Sequence, residues 1–196
     1  MARIPNTSLN AAIGAAFPDS ALVQAISASN GTSTLTCANI SDSVRIIPGM
    51  TVTGTGITGT TTVSTVVYST GVITLTGGTL SGMTAGNYTF TLNMFLALFT
   101  TDPGTTGTSG EVTGGSYARQ ALTFGLPSAG VVTSTDAQNF TNMPAEASGT
   151  PYFFVFAASS GTTYPLGGGT TSGLSGAISA GSTVAVAIGG VTFTAS

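Results

Sequence analysis

The sequence predicts a mainly β protein: two small antiparallel β-sandwich or barrel modules with one short N-terminal helix. Two observations lead to this fold class. Between residues 28 and 92, short runs in which Val, Ile and Leu alternate with Thr and Ser are separated by glycine-containing turns. Two strongly apolar runs, 94–99 and 151–156, are too short to cross a membrane and are followed by turn residues, which is typical of buried strands.

The first 27 residues predict an extended arm followed by the helix. Pro5 disfavours helix in the residue before it, and the Ala-rich stretch 8–17 has apolar residues at helical spacing until Pro18 ends it. One further helical turn is expected over 21–26. Because so short a helix is marginal alone, it has to dock on a sheet or a partner. The candidate docking residues are Arg3, Ile4, Pro5, Leu9 and Ile13.

Residues 28–92 predict a small β-module inserted into the main one. Alternating runs at 33–37, 50–53, 61–67, 72–76 and 87–92 lie between turn residues, and a further apolar run covers 44–47. Five or six short strands at such even spacing indicate a compact sandwich or barrel. The single cysteine, Cys37, excludes an intramolecular disulfide, and we expect it to be a small buried hydrophobic side chain.

The main module comprises residues 1–27 and 93–196. Its first strand, 94–99, precedes the turn Thr-Thr-Asp-Pro-Gly, a Gly-rich loop over 105–116 and a return strand over 117–124. Further strands are expected at 131–135, 151–156, 174–178, 183–188 and 191–194, with a flexible loop over 167–173 and a hairpin at Gly189-Gly190. The stretch 94–125 therefore organises this module.

That stretch also resembles a known family. The motif "LALFTTDPG", followed by a loop ending in "EVTGGSYARQALTFG", is similar to small virion structural proteins of tailed bacteriophages. In those chains a "LAL-T-DP" strand and turn precede a "GG-YARQ-ITF" strand at about this spacing. From Asp136 onward an aromatic strand, a Gly-rich turn and a final "G-x-VTF"-like strand recur in order, whereas 28–92 looks like an insertion. The resemblance implies a virion protein of the structural, tail-fibre or head-decoration kind.

The chain carries very few charged residues. They make up 5% of the sequence, against about 25% in ordinary soluble domains. The absence of Lys and His excludes Ser-His-Asp, Cys-His and Ser-Lys active sites, and a single cysteine without His excludes the usual zinc sites. A net charge of -3 argues against nucleic-acid binding. We therefore expect no enzymatic activity, no cofactor, no bound metal, and no nucleic-acid or membrane partner.

Arg119 is the most informative charge. It lies at the centre of the predicted return strand, on the face opposite Leu122. A buried arginine is costly unless it is paired. We expect an ion pair with Asp102, Glu111 or Asp136 that fixes the long loop against the sheet. The alternative is that Arg119 points to solvent.

The scarcity of charged residues also predicts that the protein works within a larger protein assembly. A monomer usually stays dispersed through its surface charge, so a chain with so little is expected to bury much of its surface against other protein. The N-terminus lacks the features of a secretory signal, which predicts assembly in the host cytoplasm and a place in the virion.

The function expected first is a capsid decoration or cement protein, which binds the major capsid protein and stabilises the head shell. The resemblance further implies a homo-oligomer, with a homotrimer as the expected order. The alternative is a tail-associated or fibre protein whose partners are tail proteins or a host surface receptor. In that alternative, the inserted module and the Gly-rich loops present a receptor- or glycan-binding tip.

Overall fold

The fold is described from a computed structural model. The described residues are 22–125, 128–129, 131–157, 160, 165–171 and 173–194. The predicted arm and helix, and with them the docking candidates Arg3, Ile4, Pro5, Leu9 and Ile13, lie outside these ranges. The described residues are mainly β, as the sequence predicts. They divide into two compact units, a barrel unit of residues 22–93 and a sheet unit of residues 94–194.

The barrel unit contains eight strands within the described residues. They are β1 (Leu22–Ser29), β2 (Thr34–Cys37), β3 (Thr51–Thr53), β4 (Ile57–Thr58), β5 (Thr62–Val67), β6 (Val72–Thr76), β7 (Thr79–Leu80) and β8 (Gly86–Thr91). Six of them close an antiparallel barrel in the order β1-β2-β6-β5-β3-β8, and β4 pairs with β7. Large apolar side chains fill the interior, among them Leu35, Ile73 and Phe90, each without exposed surface. Of the two predicted architectures, sandwich and barrel, this unit has the barrel.

Strand β1 corrects one prediction, the helical turn over 21–26. Burial alternates along it, with Leu22, Gln24 and Ile26 buried and the residues between them exposed. β1 pairs antiparallel with both β2 and β8, so the backbone N–H and C=O groups on both of its edges have hydrogen-bond partners. That pairing outweighs any local helical preference, because buried backbone groups need partners.

The apolar run 44–47 is not a strand. Ile40–Arg45 form a 3-10 helix in which the Ser43 hydroxyl donates to the carbonyl of Ile40 over 2.7 Å. Only Ile46 of the run is fully buried, whereas Val44 is exposed. Local side-chain-to-backbone bonds of this kind compete with strand pairing. β1, and not the run 44–47, is one of the six strands of the barrel.

The sheet unit also contains eight strands among the described residues. They are β9 (Met94–Phe99), β10 (Gln120–Leu122), β11 (Val131–Thr133), β12 (Gln138–Phe140), β13 (Tyr152–Phe156), β14 (Pro165–Thr170), β15 (Val184–Val186) and β16 (Thr192–Thr194). One antiparallel sheet has the order β10-β9-β13-β14, and two smaller sheets pair β11 with β16 and β12 with β15. β9 and β13 are neighbours and deeply buried, which confirms the two apolar core strands.

Alternation along β9 and β13 gives their sheet two apolar faces. One face carries an aromatic cluster of Ala97, Phe99, Phe154 and Phe156, against which the half-buried Tyr152 packs. Neighbouring rings of the cluster lie 5.0 to 6.4 Å apart between centroids, within the range of favourable aromatic pairs. The aromatic cluster is the surface on which the site described below is built.

The stretch 167–173, predicted as a flexible loop, contributes most of strand β14. A Cβ at Gly168 would overlap the ring of Phe154 and the carbonyl of Phe153, so the bare glycine backbone lets this strand lie against bulky aromatic neighbours. Glycine lowers strand propensity in general, but a close backbone approach is where strands use it.

Two other predictions for this unit are wrong. Gly189-Gly190 do not close a hairpin, since the strands on either side of them, β15 and β16, pair with β12 and β11. The stretch 174–178 forms no strand in the part of it that the structure describes, and Ile178 makes only an isolated bridge to Glu146. Both errors arise because pairing partners distant in sequence decide which segments become ladders.

No helix among the described residues has both the length and the apolar character needed to span a lipid bilayer.

Tyr88 provides a test of the barrel. Its ring is 1% exposed, and its hydroxyl lies 2.8 Å from the carbonyl of Thr55 and 2.9 Å from that of Thr84. We expect Tyr88→Phe to lower the free energy of unfolding of the barrel unit by about 1 kcal/mol, the typical net value of one hydrogen bond. Native-state hydrogen exchange of the β3 and β8 amides measures this. The control is Tyr68→Phe. Its hydroxyl donates to the carbonyl of Ile46 over a longer 3.3 Å, and because the residue is half-exposed water can replace this bond, so exchange should stay within about 0.5 kcal/mol of the parent. Equal effects would contradict the prediction.

Candidate functional site

The centre of the site is a bidentate ion pair between Arg119 and Glu111. The Arg119 Nε donates to Glu111 Oε1 over 2.8 Å, and Nη2 donates to Oε2 over 2.7 Å. The Arg119 side chain is 2% exposed and that of Glu111 is 24% exposed. Parallel bonds of this kind are strong and directional, so they fix the position of the loop that carries Glu111.

The guanidinium of Arg119 also lies on the aromatic cluster. Its Cζ is 3.7 Å from the centroid of the Phe156 ring, a cation–π contact at close range. A guanidinium is less strongly hydrated than an ammonium and stacks well on aromatic faces, which suits it to such a buried position. The ion pair and the ring together remove the charge of Arg119 from solvent.

Tyr117 connects the ion pair to the backbone of β9. Its hydroxyl accepts a hydrogen bond from the Leu98 N–H over 2.9 Å and lies 3.3 Å from Glu111 Oε1, to which it donates. Its ring stacks on Phe140, with centroids 5.6 Å apart. Burial of the phenol, which disfavours the phenolate, raises the pKa of Tyr117 above its ordinary value, and the nearby carboxylate of Glu111 acts in the same direction.

The loop between the turn and the ion pair is fixed at several points. The Thr100 N–H donates to the carbonyl of Gly110 over 2.9 Å, and the Val112 N–H donates to the carbonyl of Leu98 over 3.0 Å. Gly107 packs so closely on the aromatic cluster that a Cβ there would overlap the Phe156 ring. We call residues 100–119 the pinned loop.

Of the three carboxylates considered for Arg119, Glu111 is the one that pairs with it. Asp102 Oδ1 accepts from the Gly104 N–H over 2.8 Å, which confirms the predicted turn. Asp136 Oδ1 accepts from the Thr123 N–H over 3.1 Å and so holds the chain just after β10.

Arg119 and Leu122 are both buried, on opposite faces of the sheet. The guanidinium of Arg119 lies on Phe156, which belongs to the aromatic cluster, whereas Leu122 pairs with Met94, on the other face. The return strand is shorter than the predicted 117–124, since β10 spans only Gln120–Leu122.

A small cleft lies beside the turn at the start of the pinned loop. It has a volume of about 140 Å³, and we call it the turn cleft. The residues that line it are Asp102, Pro103, Gly104, Tyr152, Gly168, Gly169 and Thr170. The turn motif pointed to Asp102, but nothing in the sequence indicated that Tyr152 and the glycines of β14 would lie next to it.

The other face of the sheet borders a larger cavity of about 270 Å³. Leu96, Leu98 and Phe153 form its floor, and Leu174 and Val191 contribute to its walls. No charged residue is among those that line it, so it lacks groups that could orient a polar ligand.

The ionisable groups at the centre of the site are engaged with one another. Among the described residues, no three His, Cys, Asp or Glu side chains are grouped closely enough to hold a metal ion. Glu111 and Arg119 are engaged with each other, and Tyr117 is held in its neutral form. The turn cleft brings polar groups and an aromatic side chain together at an accessible surface.

The ion pair can be tested by a double-mutant cycle. We expect Glu111→Gln to lower the free energy of unfolding of the sheet unit by about 2–4 kcal/mol, because Arg119 is left buried without its countercharge. Adding Arg119→Met should recover part of this loss, since the isolated charge is then removed as well. Urea denaturation followed by circular dichroism measures each variant. Arg45→Met, at an exposed arginine, is the control and should change stability by less than about 0.5 kcal/mol. A double variant less stable than Glu111→Gln would contradict this account.

The raised pKa of Tyr117 predicts a loss of stability in alkali. The folded state binds the phenolic proton more tightly than the unfolded chain, so this contribution is complete below pH of about 10 and is lost as pH rises further. The free energy of unfolding of the sheet unit should fall there by at most about 1.4 kcal/mol per pH unit from this group. Tyr117→Phe should flatten the slope while lowering stability at neutral pH through the lost bond to Leu98.

The pH measurement needs a Cys37→Ala background. Burial raises the pKa of the Cys37 thiol as well, with a smaller contribution from Asp42, and its ionisation would add its own alkaline slope. The chain has no Lys, so no lysine contributes to the alkaline slope. An unchanged slope in Tyr117→Phe would show that this phenol is not the titrating group.

The pinned loop, the ion pair and the turn cleft all fall in a segment that matches a known family. Residues 79–194, well over half of the 196-residue chain, match the family described as podophage GP4 fiber I protein gp80. No curated protein and no solved structure matches the chain. The matched segment begins at β7 and includes every strand of the sheet unit. The chain therefore belongs to the podophage GP4 fiber I protein gp80 family and is a structural protein of a tailed-phage virion.

Proposed function

We propose that this protein is a subunit of a fibre of a tailed bacteriophage. The observation that carries the proposal is the family match over residues 79–194, whose description names a fiber protein. The match favours the tail-associated or fibre alternative over the capsid decoration role that the sequence analysis put first. Decoration of the head shell stays a prediction, and electron microscopy of virions separates it from the fibre role.

The mode of action that we propose is binding, without catalysis, cofactor or metal. Arg119 and Glu111 are engaged with each other and stabilise the pinned loop. A chain without Lys and His also lacks the usual bases and nucleophile activators. The turn cleft offers the kind of shallow, mixed surface that holds a ligand.

Contacts with other subunits are the second part of the proposal. The barrel unit exposes several large apolar side chains, namely Val23, Ile40, Val44, Val67 and Tyr68. Apolar surface of this kind supports association with other protein. We propose a homo-oligomer, with a trimer as the expected order, joined to tail proteins. Since few charges are available, these contacts should depend weakly on salt.

Electron microscopy of purified virions tests the location. An antibody raised against this protein should label the tail or its fibres, and a quantitative gel should give a copy number well below that of the major capsid protein. The matched control is an antibody against the major capsid protein on the same particles. Label over the head, with a copy number close to that of the capsid protein, would support decoration and reject the fibre proposal.

A further inference from the structure

We propose that the turn cleft binds one neutral sugar ring of a host-surface glycan. The proposal rests on the proposed fibre function for its biological setting, but its physical basis lies within the sheet unit. A host contact by a fibre needs a surface site, and the turn cleft is an accessible place where aromatic, acidic and backbone groups meet.

The size of the cleft suits one face of a single six-membered ring. Its volume of about 140 Å³ is close to that of a cavity that holds benzene, about 150 Å³, and because the cleft is open the remaining hydroxyls of a sugar stay in water. Tyr152 supplies the apolar wall: part of its side chain packs on the aromatic cluster, which holds the residue in place, and the residue is only half-buried. An aromatic side chain with a polar tip is suited to a ligand that has an apolar C–H face and hydroxyl groups.

The backbone of β14 supplies polar groups that no described strand uses. The Thr171 N–H donates to the carbonyl of Pro151 over 2.8 Å, which fixes the hydrogen-bonding phase of the β13–β14 ladder. Because bonded and non-bonded pairs alternate in antiparallel ladders, Gly168 and Thr170 direct their N–H and C=O groups away from β13. β14 is the edge of its sheet within the described residues, and both of these residues line the turn cleft.

Asp102 supplies a third polar group. One of its carboxylate oxygens is held by the Gly104 N–H, and no described residue donates to the other. A sugar hydroxyl can donate to this oxygen and, at the same time, accept from a backbone N–H. Side by side, N–H donors, C=O acceptors and a carboxylate match hydroxyls better than they match a phosphate or a second carboxylate.

The charge of Asp102 narrows the ligand class further. The chain has a net charge of -3, and the cleft contains an acidic side chain but no cation. A uronic acid or another anionic sugar would be repelled, so a neutral ring is the expected ligand. Affinity for one ring should be weak, in the millimolar range, and several subunits on one fibre would raise it by avidity.

Nuclear magnetic resonance of the purified full chain tests the proposal. The probes are the methyl pyranosides of glucose, galactose, mannose and rhamnose, with glucuronate and methylammonium as charged comparisons. At least one methyl pyranoside should shift the amide signals of Gly104, Gly168 and Thr170 in a saturable way. Asp102→Asn, which keeps the turn acceptor, and Tyr152→Leu, which keeps apolar packing, should each weaken binding about tenfold.

The matched controls are Thr105→Ala, at an exposed residue of the same loop outside the cleft, and Tyr68→Leu in the barrel unit. Both should bind like the parent chain. No saturable shift with any methyl pyranoside would overturn the proposal, as would equal binding of glucuronate or methylammonium. Since this measurement uses isolated protein, its failure is distinct from a failure of the fibre location in virions.

Discussion

The sheet unit depends on one constraint: a nearly uncharged chain has buried an arginine and must neutralise it. Arg119 lies on the Phe156 ring, 3.7 Å from its centroid, and its guanidinium makes two parallel bonds to Glu111. Taking that charge out of water is unfavourable unless the partner is placed precisely, so the loop bearing Glu111 has little freedom. The pinned loop is therefore ordered by electrostatics as much as by packing, even though its sequence is rich in Gly and Thr.

The proposed binding function rests on the surface that this ordered loop exposes. Because the pinned loop is held over the aromatic cluster, the turn at Asp102 comes to lie beside Tyr152 and the open edge of β14. The glycines of β14 have two roles. Their bare backbone packs closely on Phe154, and it leaves the cleft unobstructed. A rigid loop that borders a shallow cleft suits a protein that recognises a surface, and such sites are commonly placed on loops held by a stable sheet.

The family match changes the balance between the two virion roles without changing the physical picture. Low charge led to the expectation of a subunit surrounded by other protein, and that expectation applies to a fibre as well as to a decorated shell. The match to a fiber protein family is the reason for preferring the fibre role. The resemblance at the motifs between 95 and 124 led to the expectation of a virion protein, but it could not separate head from tail.

The sequence by itself determined the fold class, the buried strands Met94–Phe99 and Tyr152–Phe156, the turn at Asp102 and the need of Arg119 for a partner. These features follow from local properties: residue periodicity, turn chemistry and the energetic penalty of a buried charge. Only the tertiary structure decided that Leu22–Ser29 is a strand, that glycine-rich Pro165–Thr170 is another, and that Glu111 is the partner. The physical reason is that strand pairing depends on partners elsewhere in the chain, and the choice among the three candidate carboxylates depends on the path of the folded loop.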